Sequence, residues 1–198
     1  MVKYYFSIVV LILSATSAFP AIVSAADLDT DKDGLSDGYE QQFKTDPANS
    51  DTDGDGFGDG QEVMSGFDPL RADANKLEKV IKLDLKKQEL SRVLGGVVLG
   101  TYEVSTGKKS MSTPKGIYKI GNKSPKAWSK TYGLWMPYWL GIGGQRFGIH
   151  ELPIWPNGYR EGANHLGVPA SHGCIRLGIG PAKLLYGWAE IGTAVIIK

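Results

Sequence analysis

The residues best suited to chemistry sit close together near the end of the chain. Cys174 is the only thiol, and the three histidines, His150, His165 and His172, all fall within the 25 residues that end at Cys174. A thiol attacks as its thiolate, so it needs a base or a positive charge beside it. His172 is two residues away, and in an extended segment the side chains of residues 172 and 174 share a face. His150 closes a predicted strand and can approach from a neighbouring one. Gly173 lets the backbone come close to a substrate, and adjacent backbone N–H groups can form an oxyanion hole. Arg176 can hold a carboxylate. Such parts describe acyl transfer through a thioester. Two other readings use the same residues. His150, His165, His172 and Cys174 have ligand types that suit zinc, although one intervening residue between His172 and Cys174 is an unusual spacing for structural ligands. Cys174 could also be a buried structural cysteine with incidental histidines.

A second constellation lies about a hundred residues upstream. Asp29, Asp31, Asp33, Asp37 and Glu40 occupy positions 1, 3, 5, 9 and 12 of a twelve-residue loop with Gly34 at position 6. Asp51, Asp53, Asp55, Asp59 and Glu62, with Gly56, repeat that pattern 22 residues later. A hard cation needs six to eight oxygens, so alternate acids converge on it while glycine allows the sharp turn. Position 7, here Leu35 and Phe57, contributes its carbonyl, and the glutamate at position 12 binds through both oxygens. Calcium is therefore the expected cofactor, in a structural role. About five residues follow each loop before a proline-containing turn, too few for the long exit helix of a calcium sensor. The period, with Thr45-Asp46-Pro47 aligned on Phe67-Asp68-Pro69, resembles extracellular calcium repeats of the thrombospondin type 3 kind. The pattern fails after Asp73. A disordered acidic linker is the alternative. With little apolar content, this segment is expected to order only with metal bound.

These two constellations sit in bodies of opposite charge. Residues 27–75 hold 14 acids and 3 bases, a net of −11, whereas residues 76–198 hold 7 acids and 18 bases, a net of +11. The basic body suits an anionic partner such as a cell wall. No nucleic-acid recognition motif is present, so nucleic acid is not an expected partner. The opposite charges suggest that the acidic segment lies against the basic body without calcium and that calcium releases it. Residues 1–25 read as an export signal, with Lys3, an apolar run over Ile8–Leu13 and small residues before a cleavage point after Ala25. An uncleaved anchor is the alternative. The expected organisation is thus a signal over 1–25, calcium-binding repeats over 26–75 and a catalytic domain over 76–198, exported to the periplasm or cell envelope. No stable membrane insertion is expected after cleavage.

Alternation and turn signals predict the elements that would hold the thiol site. Strands are expected over Lys79–Lys86, Gln88–Val93, Gly96–Val104, Gly116–Ile120, Gly144–His150 and Gly192–Lys198. A helix is expected over Ile179–Trp188, a polar loop over Gly121–Lys130 and a Gly/Pro-rich loop over 151–170. Short strands punctuated by turns argue a mostly β domain with one helix.

Ser171-His172-Gly173-Cys174-Ile175-Arg176-Leu177, preceded by Gly148-Ile149-His150, resembles the L,D-transpeptidase catalytic (YkuD) domain. Ser105-Thr106-Gly107 and Thr113-Pro114-Lys115-Gly116 match further landmarks of that family. The resemblance implies a β-sandwich-type fold enclosing a cleft, with Cys174 as nucleophile and His150 as base. His172 would shape the site, and Ser171 and Arg176 would fill the motif's serine and arginine places. The N–H groups of Gly173 and Cys174 would hold the oxyanion. It also implies the reaction. A peptidoglycan tetrapeptide stem acylates Cys174 with loss of the terminal D-alanine, and an amine on another stem takes the acyl group in a 3→3 cross-link. Related members exchange the terminal residue or anchor a protein. Glu151 departs from the family's usual Gly or Ser. Trp128, Trp135, Tyr138 and Trp139 are expected mainly to cover the core, and His165 to be a loop residue. Two rival functions are a calcium-dependent surface-binding module and a hydrolase using water as acceptor.

Overall fold

The structure is a computed structural model describing residues 28–144 and 147–198. The expected export signal lies outside the described residues, as do two positions of the strand expected over Gly144–His150.

Each acidic loop leads into a helix of under two turns, α1 (Asp37–Phe43) and α2 (Asp59–Ser65). They stop at left-handed residues, Lys44 (φ 70°) and Gly66 (φ 88°), whose N–H groups cap the preceding carbonyls. The rest of the chain follows as β1 (Lys79–Asp84), β2 (Glu89–Leu94), β3 (Val97–Ser105), β4 (Gly116–Ser129), β5 (Leu134–Ile142), β6 (Gly148–Glu151), β7 (Ile175–Leu177), helix α3 (Pro181–Trp188) and β8 (Ala194–Ile197). Gly95 and Gly96, at φ 55° and 92°, make the two-residue turn between β2 and β3. A left-handed pair of this kind matches the strand twist and favours glycine.

The strands close in the order β1-β2-β3-β7-β6-β5-β4-β8. β3 pairs with β2 along its length and with β7 only at Val104 and Ser105. β4 pairs with β8 through its first four residues and with β5 beyond them. These two long strands therefore pass from one sheet to the other, so two packed sheets close into a ring. Ile81, Leu83, Leu90, Leu94, Ile120, Leu140, Ile142, Ile149, Ile175 and Leu177 fill the space between the sheets. Removing their apolar surface from water is the main stabilising term.

The expected strands form, the one over Gly144–His150 only from Gly148, but β5 and β7 are two strands that the pattern did not predict, and one expected loop is strand. The polar loop expected over Gly121–Lys130 is strand: β4 continues to Ser129 and pairs with β5 from Asn122↔Gly141 to Ser129↔Leu134. The segment is polar because most of it is solvent-facing, and hairpin pairing satisfies its backbone without a buried face. The repeats pack on the strand domain. Leu35, Phe43 and Val63 of the repeats join the same apolar cluster as the sheet interior. The Tyr39 hydroxyl donates to the Leu99 carbonyl at 3.1 Å.

Candidate active site

β6 and β7 run parallel, with Ile149 opposite Ile175 and His150 opposite Arg176. Ile149 and Ile175 point into the core, so alternation turns His150 and Arg176 outward together. Cys174 immediately precedes β7. His150, Cys174 and Arg176 line one small cleft, of about 100 Å³, with Ser171, His172, Tyr132, Leu134, Met136, Pro153, Trp155 and Glu161.

His150 is buried, stacked on Trp139 at 6.0 Å. Its Nδ1 lies 2.6 Å from the Glu151 carbonyl. A carbonyl only accepts, so Nδ1 carries the proton and the lone pair is on Nε2. Burial pushes the His150 pKa down to about 4, outweighing the carbonyl's opposite effect, and Arg176 adds to the fall. The imidazole is therefore neutral at neutral pH. Burial raises the Cys174 pKa, against the lowering effects of the Gly148 backbone and Arg176. The resting pair is thus a thiol and a neutral base rather than a preformed ion pair.

The turn that carries Cys174 is held from several sides. The Ser171 hydroxyl donates to the Cys174 carbonyl at 2.6 Å and accepts the Gly173 N–H at 3.1 Å. Ser171 N–H reaches the Thr106 carbonyl, and Lys108 N–H reaches the Ser171 carbonyl. Thr113 Oγ1 donates to the Gly173 carbonyl and accepts the Gly107 N–H, each at 2.9 Å. At Gly107 any Cβ would lie 2.1 Å from the Met111 carbonyl. Ser105 Oγ donates to Val168 and accepts from Ala170. The Ser105-Thr106-Gly107 and Thr113 landmarks are thus the scaffold of the thiol turn.

Three sequence expectations change here. The segment 171–174 is bent, with Gly173 at φ 114°, so His172 and Cys174 do not share the face of an extended strand. His172 is exposed, stacks on Tyr132 at 4.7 Å and meets Lys108 Nζ at 3.3 Å. Desolvation, then Lys108 and Arg176, lower its pKa. Ser171 is a buried brace of the turn rather than a reacting group. The Gly173 N–H is already engaged by Ser171, so of the two expected oxyanion donors Cys174 N–H is the stronger candidate.

In both acidic loops the first three acids converge: ligand atoms of Asp29, Asp31 and Asp33, and of Asp51, Asp53 and Asp55, lie within 4.8 Å of one another. Asp31 Oδ2, Glu40 Oε2, Asp53 Oδ2 and Glu62 Oε2 are buried without any hydrogen-bond partner. Burial, then the neighbouring aspartates, push Glu40 and Glu62 up to about 7. Orphaned, mutually repelling carboxylates are what a divalent cation would satisfy, so the residues fit one. Leu35 and Phe57 hold the carbonyl position of each loop. Asp37 and Asp59 also hold their own loops together. Both oxygens of each accept from the N–H and hydroxyl of Thr30 or Thr52, so these two residues brace the loop entry.

Residues 78–197 match the family described as the L,D-transpeptidase catalytic domain, YkuD. This chain belongs to the L,D-transpeptidase catalytic-domain family. Residues 29–50 and 51–72 each match the bacterial TSP3 repeat. The chain is 30% identical over 125 residues to a putative L,D-transpeptidase, YciB, of Bacillus subtilis, covering 60% of this chain and 64% of that protein. An L,D-transpeptidase from Stackebrandtia nassauensis is 30% identical with a TM-score of 0.51, over 61% of this chain and 55% of that one. One from Mycobacterium smegmatis shares the fold, with a TM-score of 0.53 at 22% identity over 63% and 60% of the two chains. The chain therefore spans under two thirds of the length of these relatives. Among the described residues, no helix is long and apolar enough to cross a membrane.

The L,D-transpeptidase cleft also contains residues that sequence reasoning missed. Glu161 accepts from Arg176 Nη1 at 2.6 Å and lies 3.1 Å from His165 Nδ1. Arg176 thus holds the 151–170 loop through Glu161. Glu151, the departure from the family pattern, is buried and paired with Arg160, a second tie on that loop. The loop also pairs with β5 through Ile154 and Trp135, which places Trp155 in the cleft wall. Trp128 is exposed and packs on Trp135, whereas Tyr138 packs on Tyr186 beside the core. Only long-range pairing reveals Glu161 and Trp155, because both lie in a loop with no periodic pattern.

Proposed function

We propose that this chain is an exported, cysteine-dependent peptidoglycan L,D-transpeptidase whose two acidic loops bind calcium. The observation that carries the catalytic reading is His150, neutral and with its Nε2 lone pair free by tautomer, in the same cleft as the only thiol. His150 Nε2 takes the Cys174 proton as Sγ attacks the carbonyl carbon before the terminal D-residue of a stem peptide. The carbonyl oxygen becomes an oxyanion, with Cys174 N–H as donor. Collapse expels the D-alanine nitrogen, which takes the proton from His150 and leaves a thioester on Cys174. An acceptor amine then loses its proton to His150 and attacks the thioester, and the departing Cys174 sulfur is reprotonated. Ser171 holds the turn through both steps. Arg176 and Glu161 position the cleft wall. A related enzyme from Mycobacterium tuberculosis has been solved with a faropenem-derived adduct, and the same class of acylating β-lactam is a usable probe here.

In each repeat, Asp29, Asp31, Asp33 and Glu40, or Asp51, Asp53, Asp55 and Glu62, would hold the ion. Bound there, calcium supplies positive charge to carboxylates that otherwise repel, and its role is structural. The orphaned buried oxygens support this reading.

Intact mass after incubation with a carbapenem or a tetrapeptide stem tests the assignment. The wild type should gain one acyl adduct, and Cys174→Ala should gain none. An adduct that persists in Cys174→Ala refutes the nucleophile. Product analysis with and without an amine acceptor separates transfer from hydrolysis.

A further inference from the structure

We propose that calcium in the first acidic loop seats the repeats on the β3–α3 face of the catalytic domain, with Leu35 as the coupling residue. The inference rests on the reading of these loops as calcium sites. Leu35 and Val63 of the repeats share one apolar cluster with Trp188, Tyr39 and Leu99 pack against it, and Arg92 and Leu184 line the same seam. Arg92 lies against the Trp188 ring at 5.6 Å.

The two loops are not equivalent. Leu35, at position 7 of the first loop, is 5% exposed, whereas Phe57, at the same position of the second, is 54% exposed. Position 7 offers its carbonyl to the ion, so its side chain is free for another use. In the first loop that side chain packs into the seam. An ion that fixes the Leu35 backbone therefore also fixes what Leu35 packs against. The second repeat is tied to the same loop. Gly60 N–H donates to Asp33 Oδ2 at 2.6 Å, and a Cβ at Gly60 would lie 2.6 Å from the Asp33 carbonyl. This close approach sets α2 so that Val63 enters the seam. On its other side, α3 packs against β5 and β6, the latter carrying His150.

The direction of this coupling is opposite to the one that net charge suggests. Among the described residues, no ion pair joins the acidic repeats to the basic domain. The contact along the seam is largely apolar, with a hydrogen bond from the Tyr39 hydroxyl to the Leu99 carbonyl, and Leu77 N–H donates to the Gly66 carbonyl where the chain passes from repeats to domain. Calcium, by ordering the loop, docks the repeats instead of releasing them.

Hydrogen–deuterium exchange of the full chain, with calcium chloride and with chelator, tests the proposal, alongside calorimetry of calcium binding. In the wild type, calcium should slow exchange in peptides covering residues 97–105 and 181–188 by about tenfold or more, reversed by chelator. Leu35→Ser keeps the carbonyl, so it should bind calcium yet lose that protection. Leu184→Glu, on the catalytic side of the seam and touching no acid of either loop, should lose it as well. Calcium binding without slowed exchange in the wild type overturns the docking, as does protection that survives Leu184→Glu. Should Leu35→Ser lose calcium itself, Leu184→Glu decides. Failure of the wild type to bind calcium overturns the reading of the loops, and the docking with it.

Discussion

Removing calcium should leave the repeats more stable in mild acid than at neutral pH. Glu40 and Glu62 carry the effect. Each has one buried oxygen without a partner, and burial with the adjacent aspartates raises each from 4.5 to about 7. Between those values the folded chain without metal holds protons that the unfolded chain has released. By linkage, stability then falls as pH rises through that window, and the loss is complete above about 7. A shift of this size is worth at most about 3 kcal/mol per glutamate. Opening of the loops relieves part of it. Calcium takes the place of the protons, so at a hundredfold excess over its dissociation constant it adds about 2.7 kcal/mol per site. It needs the ionised carboxylates, so its effect should grow with pH. Urea unfolding between about pH 5 and pH 8, in chelator and in calcium, measures both trends. In chelator the midpoint should fall with pH, and the double variant Glu40→Gln, Glu62→Gln should lose most of that slope and its calcium response. A chelated protein whose stability rises steadily across this range would refute the reasoning, as would a double variant with the wild-type slope.

The remaining expectations concern the cleft. Because only neutral His150 can accept the thiol proton, kcat/KM for acylation should hold below pH 6 and fall as pH drops through about 4; a limb near 6.5 would place the base elsewhere. His150→Gln should lower acylation by about 10² to 10⁴, read by rapid mixing with a carbapenem, with the fold intact by circular dichroism. Ser171→Ala removes two hydrogen bonds from the buried turn and should cost about 1–3 kcal/mol of stability in chemical unfolding, together with slower acylation. Glu161→Gln leaves the Arg176 guanidinium without its carboxylate, and should raise KM for a stem peptide more than it lowers kcat while increasing protease sensitivity of the 151–170 loop.

Much of the site was legible in the chain because its chemistry is local in sequence. The thiol, its turn and Arg176 fall within a few residues, and the acidic loops are periodic twelve-residue units. What lay outside such windows was misread or missed. Gly121–Ser129 looks like a polar loop because its side chains face water, but its backbone pairs with β5. His172 looks like the partner of Cys174 by spacing, but Gly173 at φ 114° turns the chain between them.

By itself, the sequence determined which groups could react and which could hold an ion, because those depend on residue type and short spacing. Tertiary structure decided which of them act together. Parallel pairing of β6 on β7 brings His150 into the Cys174 cleft across 24 residues of chain. Burial and one carbonyl then set its charge and tautomer. The same holds for the repeats. Their acids can be read from spacing, but only packing shows that Leu35 faces the catalytic domain and Phe57 faces water, because burial depends on what the rest of the chain places opposite each side chain.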